Sequence, residues 1–243
     1  MNLENTIIKA SQILKNNNIH SHELDAQIIL SNIMGVKRET LITNNEINIS
    51  GKIMEKYDIA IKRRIKKEPV AYIIGKKEFW SEDFFVNRLT LVPRPETELL
   101  IYKVINFFKN KKINILDIGT GSGCILLSIL KELNFSRGIG IDISAGSIKM
   151  AKINSINLNL IHRAKFKVFD LSKFNTGKFD LIVSNPPYIP SKDIKNLSQD
   201  IVSYEPKVAL DGGLDGIDLL KNVFYKSNSL LKKKWITSFR NWV

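Results

Sequence analysis

The segment Ile113-Asn114-Ile115-Leu116-Asp117-Ile118-Gly119-Thr120-Gly121-Ser122-Gly123 decides the fold of this 243-residue chain. Its first six residues predict a strand that runs directly into the three glycines. A helix is predicted next from four apolar residues: Leu126, Leu127, Ile129 and Leu130. Glycines let the backbone turn tightly and approach a ligand, and the start of a helix offers unpaired N–H groups. The segment therefore predicts a strand, a ligand-binding loop and a helix of an α/β fold.

The spacing beyond this loop indicates which ligand it binds. The next predicted strand, residues 138–141, ends at Asp142, about 20 residues on, where an acid binds ribose hydroxyls in dinucleotide and adenosyl sites alike. The loop has the pattern Gly-x-Gly-x-Gly and lacks the Gly-x-Gly-x-x-Gly of a pyrophosphate cradle. Asp117 adds a negative charge, which disfavours a phosphate and suits a cationic amino-acid end. These features favour S-adenosylmethionine over NAD.

A third predicted strand, residues 165–169, ends at Asp170 and Leu171. A carboxylate there can accept a hydrogen bond from the adenine amino group, and the leucine can contact the adenine face. An acid in an ordinary turn is the alternative interpretation of Asp170.

A fourth predicted strand, residues 179–183, ends at Asn185-Pro186-Pro187-Tyr188. Prolines cannot donate hydrogen bonds to a sheet, so the chain leaves it in a turn of fixed shape. The residue before a proline is held extended, so we expect Asn185 at the carboxyl end of the strand, where ligands bind in open α/β sheets. The Asn185 amide and the Pro186 carbonyl can each accept one hydrogen from a planar NH₂ group, and Tyr188 can cover its plane. A proline-rich loop without function is the alternative.

These arguments define two predicted sets of site residues and exclude a third kind of site. The predicted catalytic residues are Asn185, Pro186, Pro187 and Tyr188. The predicted cofactor-binding residues are Gly119, Thr120, Gly121, Ser122, Gly123, Asp142, Asp170, Leu171 and Asn185. No metal site is predicted, because the 3 histidines and 1 cysteine show no metal-ligand spacing.

Composition limits the class of protein. No apolar run reaches the roughly 18 residues of a membrane span. The N-terminus lacks the features of a secretory signal, and one cysteine excludes an internal disulfide. We therefore expect a cytoplasmic protein. The net charge of +13 fits a nucleic-acid partner, but a Lys-, Ile- and Asn-rich composition typical of an AT-rich genome produces it equally well. The basic run at residues 62–67 favours a solvated helix face.

The N-terminal region predicts a small helical unit without catalytic groups. Apolar periodicity predicts helices over residues 3–17, 24–34, 38–42 and 51–67. Ser21 is the predicted N-cap of the second helix, which Gly35 ends. We expect a helical recognition domain over residues 1–73, a hairpin linker over 74–92 and the α/β domain over 93–243.

The segment Pro93-Arg94-Pro95-Glu96-Thr97-Glu98 precedes another predicted helix. Glu96 or Thr97 is the predicted start, since acids are favoured at a helix N-terminus. Taken alone, the charges favour a charged helix entrance without further function.

Taken together, these residues resemble the glutamine-N5 methyltransferases that modify peptide chain release factors, over nearly the whole chain. The matching segments are Leu24-Asp25-Ala26, Arg63-Arg64, Glu68-Pro69-Val70-Ala71-Tyr72-Ile73-Ile74-Gly75, Glu78-Phe79, residues 93–98, 117–123, Asp142-Ile143-Ser144, residues 185–190, Tyr204-Glu205-Pro206, Ala209-Leu210 and residues 211–216. Asn-Pro-Pro-Tyr is shared with amino-methylating DNA methyltransferases, whereas residues 93–98 and 205–216 are more selective.

The resemblance implies a Rossmann-like class I S-adenosylmethionine-dependent methyltransferase domain of seven strands, preceded by a small helical domain that docks the release factor. It implies methyl transfer to a glutamine side-chain nitrogen of release factors, in support of translation termination. We expect no direct nucleic-acid or membrane partner and a monomeric protein.

The end of the chain departs from this pattern. After Lys232-Lys233-Lys234 the family continues through a fifth strand and a strand pair, whereas this chain reads Trp235–Val243. We expect the C-terminal strands to be missing, which would expose a sheet edge. A frameshift in a poly-A tract is one interpretation of the lysine run.

Two rival functions stay open at this point. A DNA adenine-N6 methyltransferase would use the same turn, but it needs base-stacking aromatics, which the sequence shows only around Trp80. The second rival is an inactive basic binding protein with a relic Rossmann-like domain.

Overall fold

The computed structural model describes residues 2–43 and 48–232. These residues form a helical unit, residues 2–43 and 48–75 with 198–204, and a sheet unit, residues 76–197 with 205–232. The expectation of missing C-terminal strands falls on residues 233–243 and lies outside the described residues. None of the described helices combines the length and the apolar character needed to cross a membrane.

The helical unit is built around one apolar core. Its helices are α1 (Leu3–Asn16), α2 (His22–Met34), α3 (Arg38–Thr43), α4 (Gly51–Ile65) and α5 (Val70–Ile74), with α9 (Gln199–Tyr204) from later in the chain. Leu3, Ile29 and Tyr57 are fully enclosed in this core. The Tyr57 hydroxyl donates to the Ala26 carbonyl at 3.0 Å, so the buried phenol keeps a hydrogen-bond partner. The unit therefore has its own core.

The start of α2 differs from the prediction. Ser21 stands at the N-cap but makes no side-chain cap; its hydroxyl instead donates to Asp25 Oδ2 at 2.8 Å. Asp25 is buried and also pairs with Arg64, Nε to Oδ2 at 2.7 Å. With a ψ of 24°, the Ser21 backbone lacks the extended conformation in which an N-cap side chain accepts from the helix N–H groups. Gly35 ends α2 with a φ of 69°, as predicted.

Three residues of the basic run at the end of α4 make hydrogen bonds within the helical unit. Arg63 makes a two-pronged pair with Glu68, Nε to Oε2 and Nη2 to Oε1, both 2.8 Å. Lys67 Nζ donates to the carbonyls of Asn17 and Asn18 at 2.9 and 2.7 Å. The prediction of a solvated face is therefore wrong for Arg64, whose side chain is 11% exposed.

The sheet unit begins with an antiparallel hairpin of β1 (Lys76–Phe79) and β2 (Glu82–Phe85). The two turn residues, Trp80 and Ser81, have φ values of 52° and 59°. Trp80 donates from its backbone N to Glu98 Oε1 at 2.9 Å and from Nε1 to Glu132 Oε1 at 2.8 Å. These bonds hold the turn in its unusual backbone conformation.

The central sheet is parallel, with the order β5–β4–β3–β6. Its strands are β3 (Asn114–Ile118), β4 (Arg137–Asp142), β5 (Ala164–Val168) and β6 (Leu181–Ser184), and the helices that follow or precede them are α6 (Glu98–Phe108), α7 (Cys124–Glu132), α8 (Ala145–Asn157) and α10 (Asp218–Leu230). The chain moves outward from β3 to β5 and then returns to place β6 on the other side of β3. The carboxyl ends of β3 and β6 therefore form the crevice where such sheets bind ligands.

Both faces of the sheet are covered. Ile115 and Val183 pack in one cluster with α6, α7 and α8, whereas Leu116 and Ile182 pack in another with the end of α10. Alternate residues of one strand thus enter different cores, as expected of a buried parallel sheet. The predicted Rossmann-like α/β domain, preceded along the chain by a helical domain, is confirmed. The resemblance implies a central sheet of seven strands, and four strands of that sheet lie within the described residues. Phe179 also forms a parallel bridge with Leu231.

Candidate cofactor and acceptor site

A cavity of about 200 Å³ lies at the carboxyl ends of the parallel strands. Most of the predicted site residues line it: Gly119, Thr120, Gly121, Ser122, Asp142, Asp170, Leu171, Asn185, Pro186 and Pro187. Gly123 and Tyr188 do not belong to the lining. The structure thus brings the loops after four different strands together around one space.

The glycine loop is fixed by the neighbouring strand. The backbone N–H groups of Gly119 and Thr120 both donate to the Ile141 carbonyl, at 2.9 and 3.0 Å. Gly119 and Gly121 have nothing within 4 Å of the position where a side chain would begin. A ligand can therefore approach the backbone closely. A side chain at Gly123 would instead lie 3.2 Å from Phe166, so this glycine shapes the loop from beneath.

Asp142 joins the loop to the start of α8. Its Oδ2 accepts from Gly121 N at 3.0 Å and its Oδ1 from Ser144 N at 2.9 Å. Burial raises the pKa of Asp142, and these backbone hydrogen bonds oppose the rise. Ser144 also caps α8, because its hydroxyl accepts from Ser147 N at 3.2 Å.

Asp117 lies behind the loop and does not line the cavity. It is fully buried, and Thr120 Oγ1 donates to its Oδ2 at 2.6 Å. Its Oδ1 has no hydrogen-bond partner among the described residues. Burial raises the pKa of Asp117 to about 7. The sequence predicts a full negative charge beside the ligand, whereas the structure places an enclosed carboxyl with a raised pKa beneath Thr120.

Asp170 caps the short 3₁₀ turn Leu171–Lys173. Its Oδ1 accepts from the backbone N and the hydroxyl of Ser172, both at 2.9 Å. These hydrogen bonds hold the pKa of Asp170 below its usual value. The carboxylate therefore stays charged at the end of β5, as a group that accepts an amino hydrogen must.

The Asn185 turn lies where β6 ends, and its amide is half-buried. Asn185 Nδ2 donates to Thr97 Oγ1 at 3.5 Å. Within the described residues, neither Asn185 Oδ1 nor the Pro186 carbonyl accepts a hydrogen bond. The Tyr188 ring is 67% exposed. Two free acceptors thus lie at the cavity, with an aromatic ring outside it.

The wall around residues 92–97 shows a contact that the sequence interpretation missed. Arg94 lines the cavity, and its Nη2 pairs with Glu205 Oε1 at 2.5 Å. Glu205 is buried and also accepts from Val92 N at 3.4 Å. Arg94 is therefore more than part of a charged helix entrance. Thr97 precedes α6 without a side-chain cap.

A second missed feature is the support beneath the proline turn. Gly212 N donates to the Ile189 carbonyl at 2.9 Å, and Ile189 N donates to the Leu210 carbonyl at 3.2 Å. A side chain at Gly216 would lie 2.4 Å from the Tyr188 carbonyl oxygen. The segment Asp211–Gly216 carries this role, and its signals in the sequence were its glycines and its match to the family pattern.

The residues present fit an adenosyl cofactor. The loop leaves open space at Gly119 and Gly121, and Asp142 and Asp170 offer acceptors at the ends of adjacent strands. The charged side chains of the described lining are Arg94, Asp142 and Asp170. The cation among them is already paired with Glu205, so the site does not offer the free positive charge that a pyrophosphate would favour.

Comparisons with known proteins agree with these observations. A family described as the PrmC N-terminal domain matches residues 5–75, and one described as a methyltransferase domain matches residues 109–234. The release factor glutamine methyltransferase of Clostridium acetobutylicum is 39% identical over 236 residues, covering 96% of this chain and 83% of its own. That of Buchnera aphidicola subsp. Schizaphis graminum is 39% identical over 243 residues, covering 100% and 87%. The protein of the same name from Caulobacter vibrioides is 38% identical, covering 87% and 75%.

Proposed function

Since this chain belongs to the release factor glutamine methyltransferase family, we propose that it methylates the side-chain N5 of a glutamine in a peptide chain release factor. The enzyme class is that of S-adenosylmethionine-dependent methyltransferases. The observation that carries the proposal is the pair of free acceptors, Asn185 Oδ1 and the Pro186 carbonyl, on the same cavity as the glycine loop.

The cofactor is assigned to the loop and to the two acids at the strand ends. When bound, S-adenosylmethionine supplies an electrophilic methyl group on a sulfonium sulfur. Each Asp142 oxygen accepts one backbone hydrogen bond and keeps a lone pair. Asp142 can therefore hold the ribose hydroxyls without releasing the loop. Asp170 keeps Oδ2 free of protein hydrogen bonds within the described residues, which suits the adenine amino group, and Leu171 contacts the ring face.

The acceptor glutamine is assigned to the Asn185 turn. An amide nitrogen is a poor nucleophile because its lone pair is delocalised into the carbonyl. Asn185 Oδ1 and the Pro186 carbonyl accept its two N–H hydrogens and thereby fix the direction of the nitrogen. Pro187 keeps the turn rigid, and Tyr188 packs against the amide plane when the substrate arrives. Alignment and electrostatics supply most of the rate, so no strong general base is needed.

The helical unit is assigned to recognition of the release factor. We assign residues 1–73 to recognition, 74–92 to the linker and 93–243 to catalysis, with a monomer acting in the cytoplasm, where release factors work. The match of residues 5–75 to a separate family domain supports this division. The basic run supports a protein partner over nucleic acid, because Arg63, Arg64 and Lys67 are engaged within the unit.

The test is methyl incorporation from labelled cofactor into three acceptors: a release factor, the same factor with its acceptor glutamine replaced, and a DNA duplex. We expect label in the first alone. Label in the duplex would support the adenine-N6 alternative, and no label in any acceptor, from folded protein that binds cofactor, would support the inactive relic.

A further inference from the structure

We propose that Asn154, in the middle of α8, is a positioning residue for the cofactor loop. The inference rests on the proposed function, because it takes residues 119–123 as the loop that holds S-adenosylmethionine. Asn154 does not line the cavity, so it acts through the backbone that does.

The Asn154 amide joins two separate pieces of backbone. Its side chain is buried, with no exposed area. Its Oδ1 accepts from Phe85 N at 2.8 Å, and its Nδ2 donates to the Phe85 carbonyl at 3.0 Å. The second hydrogen of Nδ2 goes to the Ser122 carbonyl at 2.9 Å. One side chain therefore ties the glycine loop to the hairpin strand β2.

The bond to Ser122 anchors the loop from beneath. The top of the loop is held by the Ile141 carbonyl and by Asp142. The Ser122 carbonyl belongs to a residue that is 2% exposed and faces α8, where water does not replace a lost donor. A buried carbonyl without a donor is costly, so the loop would shift to find another partner. Such a shift would move the N–H of Gly121 and the wall that the cofactor contacts.

The other end of the link is itself fixed. Phe79 and Phe84 of the hairpin are buried in the same core as α7 and α8. The hairpin turn is held by the bonds from Trp80 to Glu98 and Glu132. Asn154 thus fixes the position of the loop relative to a rigid hairpin. A residue whose role was only to satisfy the edge of β2 would need no contact with Ser122.

The test compares cofactor affinity with stability in four variants. Asn154→Ala removes all three bonds, and Asn154→Ser keeps a short hydroxyl in case the first variant does not fold. Leu130→Ala is the matched control for stability, because Leu130 is fully buried in the same core and does not line the cavity. Ser155→Ala is the control for α8, because its hydroxyl donates to Lys152 O within the helix and, among the described residues, to no other group.

Calorimetric titration with S-adenosylmethionine and denaturant unfolding without cofactor are measured for each folded protein. We expect about tenfold or greater loss of affinity for Asn154→Ala and less for Asn154→Ser. Leu130→Ala should unfold more easily than wild type yet bind the cofactor as wild type does.

Wild-type affinity in both Asn154 variants would overturn the proposal. So would failure of both to fold, because Asn154 would then serve the fold as a whole. An affinity loss in Leu130→Ala as large as in Asn154→Ala would also contradict it. If wild-type protein itself bound no cofactor, the proposed function would fail first, which separates the two claims.

Discussion

Asp117 and Asp142 lie on adjacent strands but in different surroundings. Asp142 faces the cavity and accepts two backbone N–H groups, whereas Asp117 is enclosed beneath Thr120. The negative charge of Asp142 adds to the effect of burial in raising the pKa of Asp117. Two acids this close do not both ionise freely. A proton on Asp117 relieves the unfavourable interaction between the two carboxylates.

The elevated pKa of Asp117 predicts a pH-dependent stability. The folded state holds its proton up to a pH of about 7, whereas the ordinary value is 3.8. Between those values the folded state binds more protons than the unfolded state, so this group makes the free energy of unfolding fall as pH rises. Asp117→Asn should remove that fall, which amounts to about 1.4 kcal/mol for each unit of pKa difference.

Denaturant unfolding of cofactor-free protein at pH 5 and pH 8 measures this contribution. Asp58→Asn, which changes an exposed acid of α4, is the matched control and should keep the wild-type slope. Equal slopes in wild type and Asp117→Asn would show that Asp117 is charged in the folded protein throughout.

At the scale of the element, the sequence predicts those helices, strands and turns that depend on residues close together along the chain. The strand-loop-helix at residues 113–130 and the abrupt end of β6 follow from local apolar pattern, glycine and proline. The Arg94–Glu205 pair joins residues 111 positions apart, so no local pattern contains it. Asn154 is likewise hidden, because a single asparagine in a helix is compatible with solvent exposure. Ser21 does not cap α2, because its backbone is not extended there and its hydroxyl donates to Asp25.

The proline turn is held in place by a second segment of the chain, Asp211–Gly216. Asp211–Gly216 pairs with residues 189–191 through backbone bonds. Gly216 has a φ of 77° and lies against the Tyr188 carbonyl, so only glycine fits both the space and the backbone conformation. The position of the acceptor turn is therefore set partly from outside it.

Gly216→Ala should displace the acceptor turn and leave the cofactor loop in place. The added methyl would lie 2.4 Å from the Tyr188 oxygen. We expect methyl transfer to fall roughly tenfold or more, since small misplacements of a reacting group are costly. Cofactor affinity should not change. Gly51→Ala, at the start of α4 with open space around it, is the matched control.

Single-turnover rates and cofactor titration of both glycine variants decide this prediction. Weakened cofactor binding in Gly216→Ala with an unchanged rate at saturation would assign the segment to the cofactor instead of the acceptor.

At the scale of the whole molecule, the two units carry different kinds of residue. The sheet unit holds the cavity and all of the predicted site residues. The helical unit has its own core and buried ion pairs. This separation is what a division between recognition and catalysis requires.

Removal of residues 1–75 should separate cofactor binding from methylation of the release factor. We expect the remaining protein to bind the cofactor with nearly unchanged affinity and to lose methylation of an intact release factor. Methylation of a short glutamine peptide should persist at a low rate, because the acceptor turn remains. Calorimetry measures the cofactor affinity, and transfer of a labelled methyl group measures the methylation rate. A normal rate on the intact factor would show that the helical unit does not recognise it.

The central claim is that the Asn185 turn holds the acceptor amide, and Asn185→Ala tests it most directly. The measurement is the single-turnover rate of methyl transfer to a release factor, with folded enzyme saturated with cofactor. Asn157→Ala, an exposed asparagine at the end of α8, is the matched control, and Asn185→Asp keeps an acceptor in place. We expect a loss of about a hundredfold or more for Asn185→Ala, with cofactor affinity nearly unchanged and a smaller loss for Asn185→Asp. A near-normal rate in folded Asn185→Ala would contradict the account.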